Sequence, residues 1–496
     1  MPPQTPLGLA CALALAAGSA MSAPPAVTDL GTGTLPQAVS DNGEVIAGFR
    51  FQEEMPENTG IFRWTPGGGL SIISPGVLGG RPGVSADGRV IGGTVVTDRA
   101  EAAFWTEDKW WTPLSETGFI PALPGWTTAT HAISGNGERL AGGTTPPPID
   151  FGWVRAFSFN PDTEGFADFG WQELPKARKG SIANATAISN DGTVQAGISS
   201  DIAGRFRAVR WVDGHIEEIF DLNGERLGGE SVACNEDCSV MVGGGGGSSA
   251  VNPILAWRLL PEARPAACYF EPMDSSLAAL RHYAYDTNEA GSVVVGAYYY
   301  DVIDPPFIRN VAKGFLWLGD ARGGTLVDFQ EYVAMLGEAY FSDWQEIVPV
   351  AVSGNGRHLV GWGVDGAETL RGWKIDFGTI PVAGAALPPS ARYTRCPQNP
   401  PAPGREVAAK TTQWELPEGE FQAADGSRYF VESRGVTLYG GPHGDPQQPL
   451  LSLGGRHYLD PESGARLYFV RDREGRVTEL QAQDDNELHR WQRTGD

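Results

Sequence analysis

Five polar residues, Asp41, Asp87, Asn136, Asp191 and Asn355, recur in one pattern along the chain and are the groups whose repetition could assemble a polar cluster about a common axis. Such a cluster could position water for hydrolysis or lysis of a glycan or an ester. Each also belongs to an Asn-Gly or Asp-Gly turn, and the turn role accounts for them without catalysis. Other chemistry is hard to find. The chain has no Gly-x-Ser-x-Gly elbow, no His-Glu-x-x-His, no phosphate loop and no dinucleotide fingerprint. Its histidines (131, 215, 282, 358, 443, 457, 489) are scattered, and the acidic pairs Glu53-Glu54 and Asp484-Asp485 are adjacent, hence not placed to work on one bond. The glycine run 243–247 lacks a lysine and reads as a loop. The sequence therefore assigns no catalytic residue, no cofactor and no metal.

Binding chemistry rests on aromatic residues where the pattern is interrupted. Segments 146–153, 298–313 and 340–348 are longer than the repeat requires, and they carry Trp153, Tyr298, Tyr299, Tyr300 and Trp344 as ligand-contact candidates. The competing reading is that such aromatics cover hydrophobic edges. Four cysteines follow the N-terminal region: Cys234, Cys238, Cys268 and Cys396. Cys234 and Cys238 flank a turn and suit a local bridge, with Cys268 and Cys396 left as the second pair, although four cysteines allow three pairings. A zinc site at Cys-x-x-x-Cys lacks a second ligand pair.

The elements that must position these residues are repeats. AVSDNGEVIAG (38–48), GVSADGRVIGG (83–93), AISGNGERLAG (132–142), AISNDGTVQAG (187–197) and AVSGNGRHLVG (351–361) are clear copies, and VACNEDCSVMVG (232–243) and YDTNEAGSVVVG (285–296) are degenerate ones. Their turn positions, 43, 88, 137, 192, 238, 291 and 356, lie 45 to 65 residues apart, a period of solenoids and propellers. In each copy Asn-Gly or Asp-Gly offers positive φ to a tight hairpin, and the second strand ends on a glycine, expected where strands crowd a central axis. A third strand follows, as in Phe62-Arg-Trp64, Ala103-Phe-Trp105, Val209-Arg-Trp211, Phe315-Leu-Trp317 and Gly372-Trp373, whose tryptophans are expected to pack between sheets. Segments such as 70–73, 215–219 and 325–329 supply a fourth.

Four strands in each of seven units predict an all-β fold, a seven-bladed β-propeller spanning 26–380. The seventh unit stops after three strands, whereas Val27-Thr-Asp-Leu30 precedes the first unit as an unpartnered strand. Pairing of the two would remove a free edge.

The A-[IV]-S-x-[DN]-G-x-x-x-x-G pattern with its following A-F-x-W-like strand resembles the HAF repeat of extracellular bacterial repeat proteins, over about residues 27–380. That resemblance implies a secreted, propeller-like array. The fifth and sixth copies depart from it.

Residues 7–17 form an apolar run followed by small residues, as in a signal peptide over 1–22, and the run is too short to span a bilayer. A secreted or periplasmic protein without membrane insertion is expected. The net charge of −23, from 37 Lys plus Arg against 60 Asp plus Glu, excludes nucleic acid as a partner. Residues 381–405, rich in Pro and Ala, read as a linker, and 406–496 as a small all-β barrel or sandwich. The latter, through Arg428-Tyr-Phe-Val431 and Leu467-Tyr-Phe469-Val-Arg-Asp472, resembles the lipocalin-like accessory domain of beta-lactamase-type hydrolases, which implies a non-catalytic module. Tyr429, Phe430, Tyr458, Tyr468 and Phe469 are its aromatic candidates, with core packing as the default. The function read from all this is a non-enzymatic binding scaffold for a protein or glycan, with a propeller hydrolase or lyase as the alternative.

Overall fold

The computed structural model describes residues 25–52, 59–75, 80–117, 127–145, 154–160, 171–173, 182–200, 206–212, 215–219, 228–244, 254–258, 266–270, 279–304, 307–320, 323–378, 387–395, 419–434, 437–444, 447–454, 457–459, 466–471, 477–483 and 488–494. The expected signal peptide, Trp153, the 146–153 segment and Cys396 lie outside them.

The strands make a seven-bladed β-propeller followed by a second all-β unit. Blade one runs Thr34–Val39, Ile46–Arg50, Gly60–Thr65, Gly69–Pro75, each antiparallel to the one before. The next five blades repeat that meander, beginning at the inner strands Gly83–Val84, Thr127–Ile133, Ala183–Ile188, Glu230–Cys234 and Ala279–Thr287. Gly244 and Tyr283 pair, so blades five and six share one sheet. Blade seven has three strands of its own, Glu346–Val352, His358–Val364 and Leu370–Asp376, and its fourth is Ala26–Thr32 from the start of the propeller. Val27 pairs with Ile375 and Asp29 with Trp373, and Arg371 forms an ion pair with Asp29 across the seam. The expected closure is thus present.

Each repeat motif is a turn with an internal staple. Ser40 Oγ donates to Asn42 Oδ1 at 2.8 Å and accepts the Val45 N–H at 3.0 Å, while the Gly43 N–H closes the turn on the Ser40 carbonyl. The same bonds recur around Ser85, Ser134, Ser189 and Ser353. In the degenerate copies Asn235 and Asn288 accept the corresponding N–H through Oδ1, at 2.7 and 2.8 Å. The expectation that both turn residues take positive φ is corrected here. Glycine alone does so, at 72° for Gly43, while the preceding Asn or Asp is held by its side chain in an Asx turn. In blade five Cys238 adopts φ 51° in the glycine's place and bonds to Cys234.

The crowded glycines of the second strands also have a different cause from convergence on an axis. A β-carbon at Gly361 would lie 2.1 Å from the Val348 carbonyl oxygen and 2.5 Å from the Trp373 ring. The crowding comes from the blade's own first strand and its third-strand aromatic. Those aromatics are core: Phe62, Phe157, Trp211, Trp317 and Trp373 are fully buried between sheets.

Part of the segment read as a linker is a strand. Arg392–Arg395 pairs with the outer strand Gly323–Asp328 of blade six and covers an edge that would otherwise present free N–H and C=O groups. Beyond it, Gly419–Ala423 begins an antiparallel meander whose last strand, Leu488–Arg493, returns to pair with the first. Residues 448–454 pair first with Thr437–Pro442 and then with His457–Leu459, so the path closes into an eight-stranded ring. Phe421, Tyr429, Val431, Leu467, Phe469 and Leu480 form its core. Tyr429 and Phe469 are therefore packing residues.

Candidate functional site

Six of the seven inner strands, all but Gly83–Val84 of blade two, carry a defect that re-aims one side chain. Register slips between Pro36 and Ala38, Thr130 and Ala132, Ala185 and Ala187, Ser231 and Ala233, Ala284 and Asp286, and Pro349 and Ala351. A β-bulge of this kind turns the extra residue out of the alternating pattern. Gln37, His131, Thr186 and Val232, each the extra residue of its strand, line a central channel of about 150 Å³ to which all seven blades contribute.

One rim of the channel is made by the variable second residue of each turn, Asp41, Ala86, Gly135, Asn190 and Gly354 in the Ser-x-Asn/Asp-Gly copies and Glu236 and Glu289 in the degenerate ones. Backbone bonds pass from turn to turn there. Asp41 N–H donates to the Ala86 carbonyl, Ala86 to Gly135, Asn190 to Glu236 and Glu289 to Gly354, at 2.7–3.0 Å. Asn136 N–H reaches the Asn190 carbonyl, and Asn235 Nδ2 spans blades five and six at 3.1 Å from the Glu289 carbonyl. Between blades seven and one, the Asp41 carboxylate accepts the Gly354 N–H.

Three charged or titratable residues lie deeper. Arg81 donates through Nη1 to the Tyr285 carbonyl at 3.2 Å and through Nη2 to the Gln37 and Val350 carbonyls at 3.0 and 3.4 Å, tying the inner strands of blades six, one and seven together. Burial lowers the Arg81 pKa, and Asp286 opposes that shift. Asp286 accepts the Val352 N–H at 2.9 Å, and burial lifts its carboxyl to about 6 against the pull of Arg81. His131 contacts Asn184 Nδ2 at 3.0 Å, and burial and then Arg81 hold it near 4, so it is neutral at pH 7. At the rim, burial raises the carboxyls of Asp41 and Glu289; Asn190 donates to Glu289 at 3.0 Å.

Of the five polar residues in the recurring pattern, only Asp41 lines the channel. Asp87, Asn136, Asp191 and Asn355 fold back onto their own serine and backbone, as turn formers. The aromatic candidates separate in the same way. Tyr298 is 1% exposed and packs edge-on against Phe315 at 5.3 Å, and Trp344 is 6% exposed between Phe341 and Tyr340. Both belong to the core and are not exposed loop aromatics, because the strand Val293–Asp304 carries Tyr298 inward and Trp344 covers the end of blade seven. Tyr299 is half-buried, with its hydroxyl against that of Tyr285. Tyr300 and Cys268 lie in strands, Val293–Asp304 and Ala266–Phe270, but their side chains are outside the description. Cys234 and Cys238 form the local disulfide; the Cys268–Cys396 pairing falls outside the described residues.

Sequence reasoning passed over Arg81 and Asp286. Both break the repeat: Asp286 stands where other copies have Ala or Gly, and Arg81 stands two residues before that position in its own copy, where the others have no charge. Among the described residues no cluster of metal-ligating side chains occurs, and no helix is long and apolar enough to cross a membrane.

No family model and no curated protein matches the sequence. Among solved structures the chain is similar to TolB from Acinetobacter baumannii (15% identity, 48% of this chain and 57% of that one, TM-score 0.30). It is also similar to the β-propeller domain of the Trilobed protease from Pyrococcus furiosus (14%, 71% and 94%, 0.28) and to dipeptidyl peptidase 4 from Porphyromonas gingivalis (10%, 93% and 66%, 0.35). The chain thus spans little more than half of TolB. Its own strand order places it in the class of seven-bladed β-propellers.

Proposed function

We propose that the protein is an exported, non-enzymatic scaffold that binds a protein or glycan partner, and that the partner seats a donor-bearing polar group in the mouth of the central channel. The observation that carries this reading is the convergence of repeat-breaking polar residues, Arg81, Asp286, Glu236 and Glu289, on a single cavity. A uniform array would fill its hub with small residues, as it does at Ala38, Ala132 and Ala187. The rim supplies carboxylate acceptors from Asp41, Glu236 and Glu289, suited to sugar hydroxyls or a basic side chain, and a space of about 150 Å³ admits one such group. The HAF-like repeats, the signal-like N-terminus and the Cys234–Cys238 disulfide support export.

The hydrolase reading is less well served. Paired carboxyls that cleave a glycosidic bond stand about 5 Å or more apart with the bond between them, whereas Asp41 and Glu289 hydrogen-bond to each other.

Thermal-shift titration of the mature chain with neutral glycans and with Lys/Arg-rich peptides tests the proposal. A ligand at about a hundred times its Kd adds roughly 2.7 kcal/mol of stability. The shift should disappear in Glu236→Gln; a shift retained in that variant would move the seat away from the rim, and no shift with either ligand class would defeat the reading.

A further inference from the structure

Blade seven is the one blade built from two distant parts of the chain, and its turn is gripped from both sides. Glu289 of blade six donates its N–H to the Gly354 carbonyl at 3.0 Å, and Gly354 donates its own N–H to the Asp41 carboxylate of blade one. The two carboxyl groups converge on the same glycine. A β-carbon placed at Gly354 would lie 2.3 Å from Asp41 Oδ1 and 2.9 Å from Glu289 Cδ. Carboxylates this close cannot both stay ionised without a large repulsion, and a proton between them turns the repulsion into a hydrogen bond. Asn190 Nδ2 already occupies Glu289 Oε1.

We propose that a proton shared by Asp41 and Glu289 latches blade seven between blades one and six, so that the propeller ring is held tighter in acid and loosens as the proton is lost. The latch does not depend on any ligand. Burial raises both carboxyls, and each is raised further by neighbouring acids: Asp41 by Glu236 and Asp286, Glu289 by Asp41. The remaining titratable groups lining the channel are Arg81, bonded to three carbonyls, and His131, neutral near pH 7, so neither supplies a mobile cation to the rim. Acids with raised folded pKa values stabilise the native state below their unfolded values, and that contribution is lost as pH rises through the folded values.

Hydrogen exchange of the full chain between pH 5 and 8 tests the latch. Protection factors of Ala26–Thr32 and Leu370–Asp376, corrected for intrinsic exchange, are referred to Gly419–Ala423 in the second unit. Protection in blade seven should fall with rising pH, while that of Gly419–Ala423 should not. In Asp41→Asn and Glu289→Gln, whose amides bond without titrating, the decline should shrink to the part that Asp286, bonded to the Val352 N–H of blade seven, contributes on its own. Variants that keep the wild-type pH dependence overturn the latch. If neither variant folds, Asp286→Asn decides: a decline that persists there and is confined to blade seven supports the latch, and one that is absent there, or equal in the inner strand of blade three, Thr127–Ile133, overturns it.

Discussion

Arg81 donates to the backbone carbonyl of Tyr285, 204 positions further along the chain. Both residues come from places where the repeat is irregular. The same guanidinium reaches Gln37 and Val350, so one side chain stands in for the backbone bonds that the bulged strands cannot make across the channel.

Removing it should therefore weaken the ring more than a surface arginine would. Arg81→Met leaves three carbonyls without their donor and Asp286 without its countercharge, a loss of about 3–5 kcal/mol where water cannot substitute. Urea denaturation of the two chains measures the loss. Arg81→Lys should recover less than half, since a single ammonium cannot span carbonyls from three blades. A loss under about 0.5 kcal/mol, the range of ordinary surface changes, would show that the pin does not matter.

Asp286 gives stability a pH dependence of its own. Its folded pKa is about 6, above the usual 3.8, so its stabilising contribution is complete below about pH 4 and is lost as pH rises through 6. The full swing is at most about 3 kcal/mol, because each pH unit between the unfolded and folded values is worth about 1.36 kcal/mol. Asp286→Asn lacks this titration. The stability difference between wild type and variant should thus narrow or reverse between about pH 4 and 7, and a constant difference over that range contradicts the assignment.

The turn staples make a prediction from the chain's own variation. Ser40→Ala leaves the buried Val45 N–H without a partner and Asn42 Oδ1 with only the Glu44 N–H, at a cost of about 1–3 kcal/mol. Blades five and six do the same work with Asn235 and Asn288. Ser40→Asn should accordingly cost less than Ser40→Ala, and equal losses would mean that the hydroxyl rather than the acceptor is what the turn requires.

Much of the propeller was legible because its signals are local. Turn glycines, third-strand tryptophans and the missing fourth strand of the last unit each follow from period and residue type, and Val27 to Leu30 does pair into blade seven. The site was not legible in the same way. A bulge is a property of two strands in register, so nothing about Gln37 or His131 alone says that its side chain turns into the channel. Loop length drew attention to Tyr298 and Trp344, yet length says nothing of direction, and both point into cores. Arg81 and Asp286 could have been found by aligning the copies and asking which positions change from small to charged.

Cys238 shows the same substitution logic within a turn. It holds φ 51° where the clear copies have glycine, and the bond to Cys234 keeps it there. A side chain in this left-handed region costs roughly 1–2 kcal/mol that glycine does not incur. The double change Cys234→Ala with Cys238→Gly should consequently melt closer to wild type than Cys234→Ala with Cys238→Ala, by about that amount, in calorimetry under identical conditions. If the two double variants melt together, the disulfide is not compensating for backbone strain, and its contribution would have to come from restricting the unfolded chain, where a loop of five residues offers little.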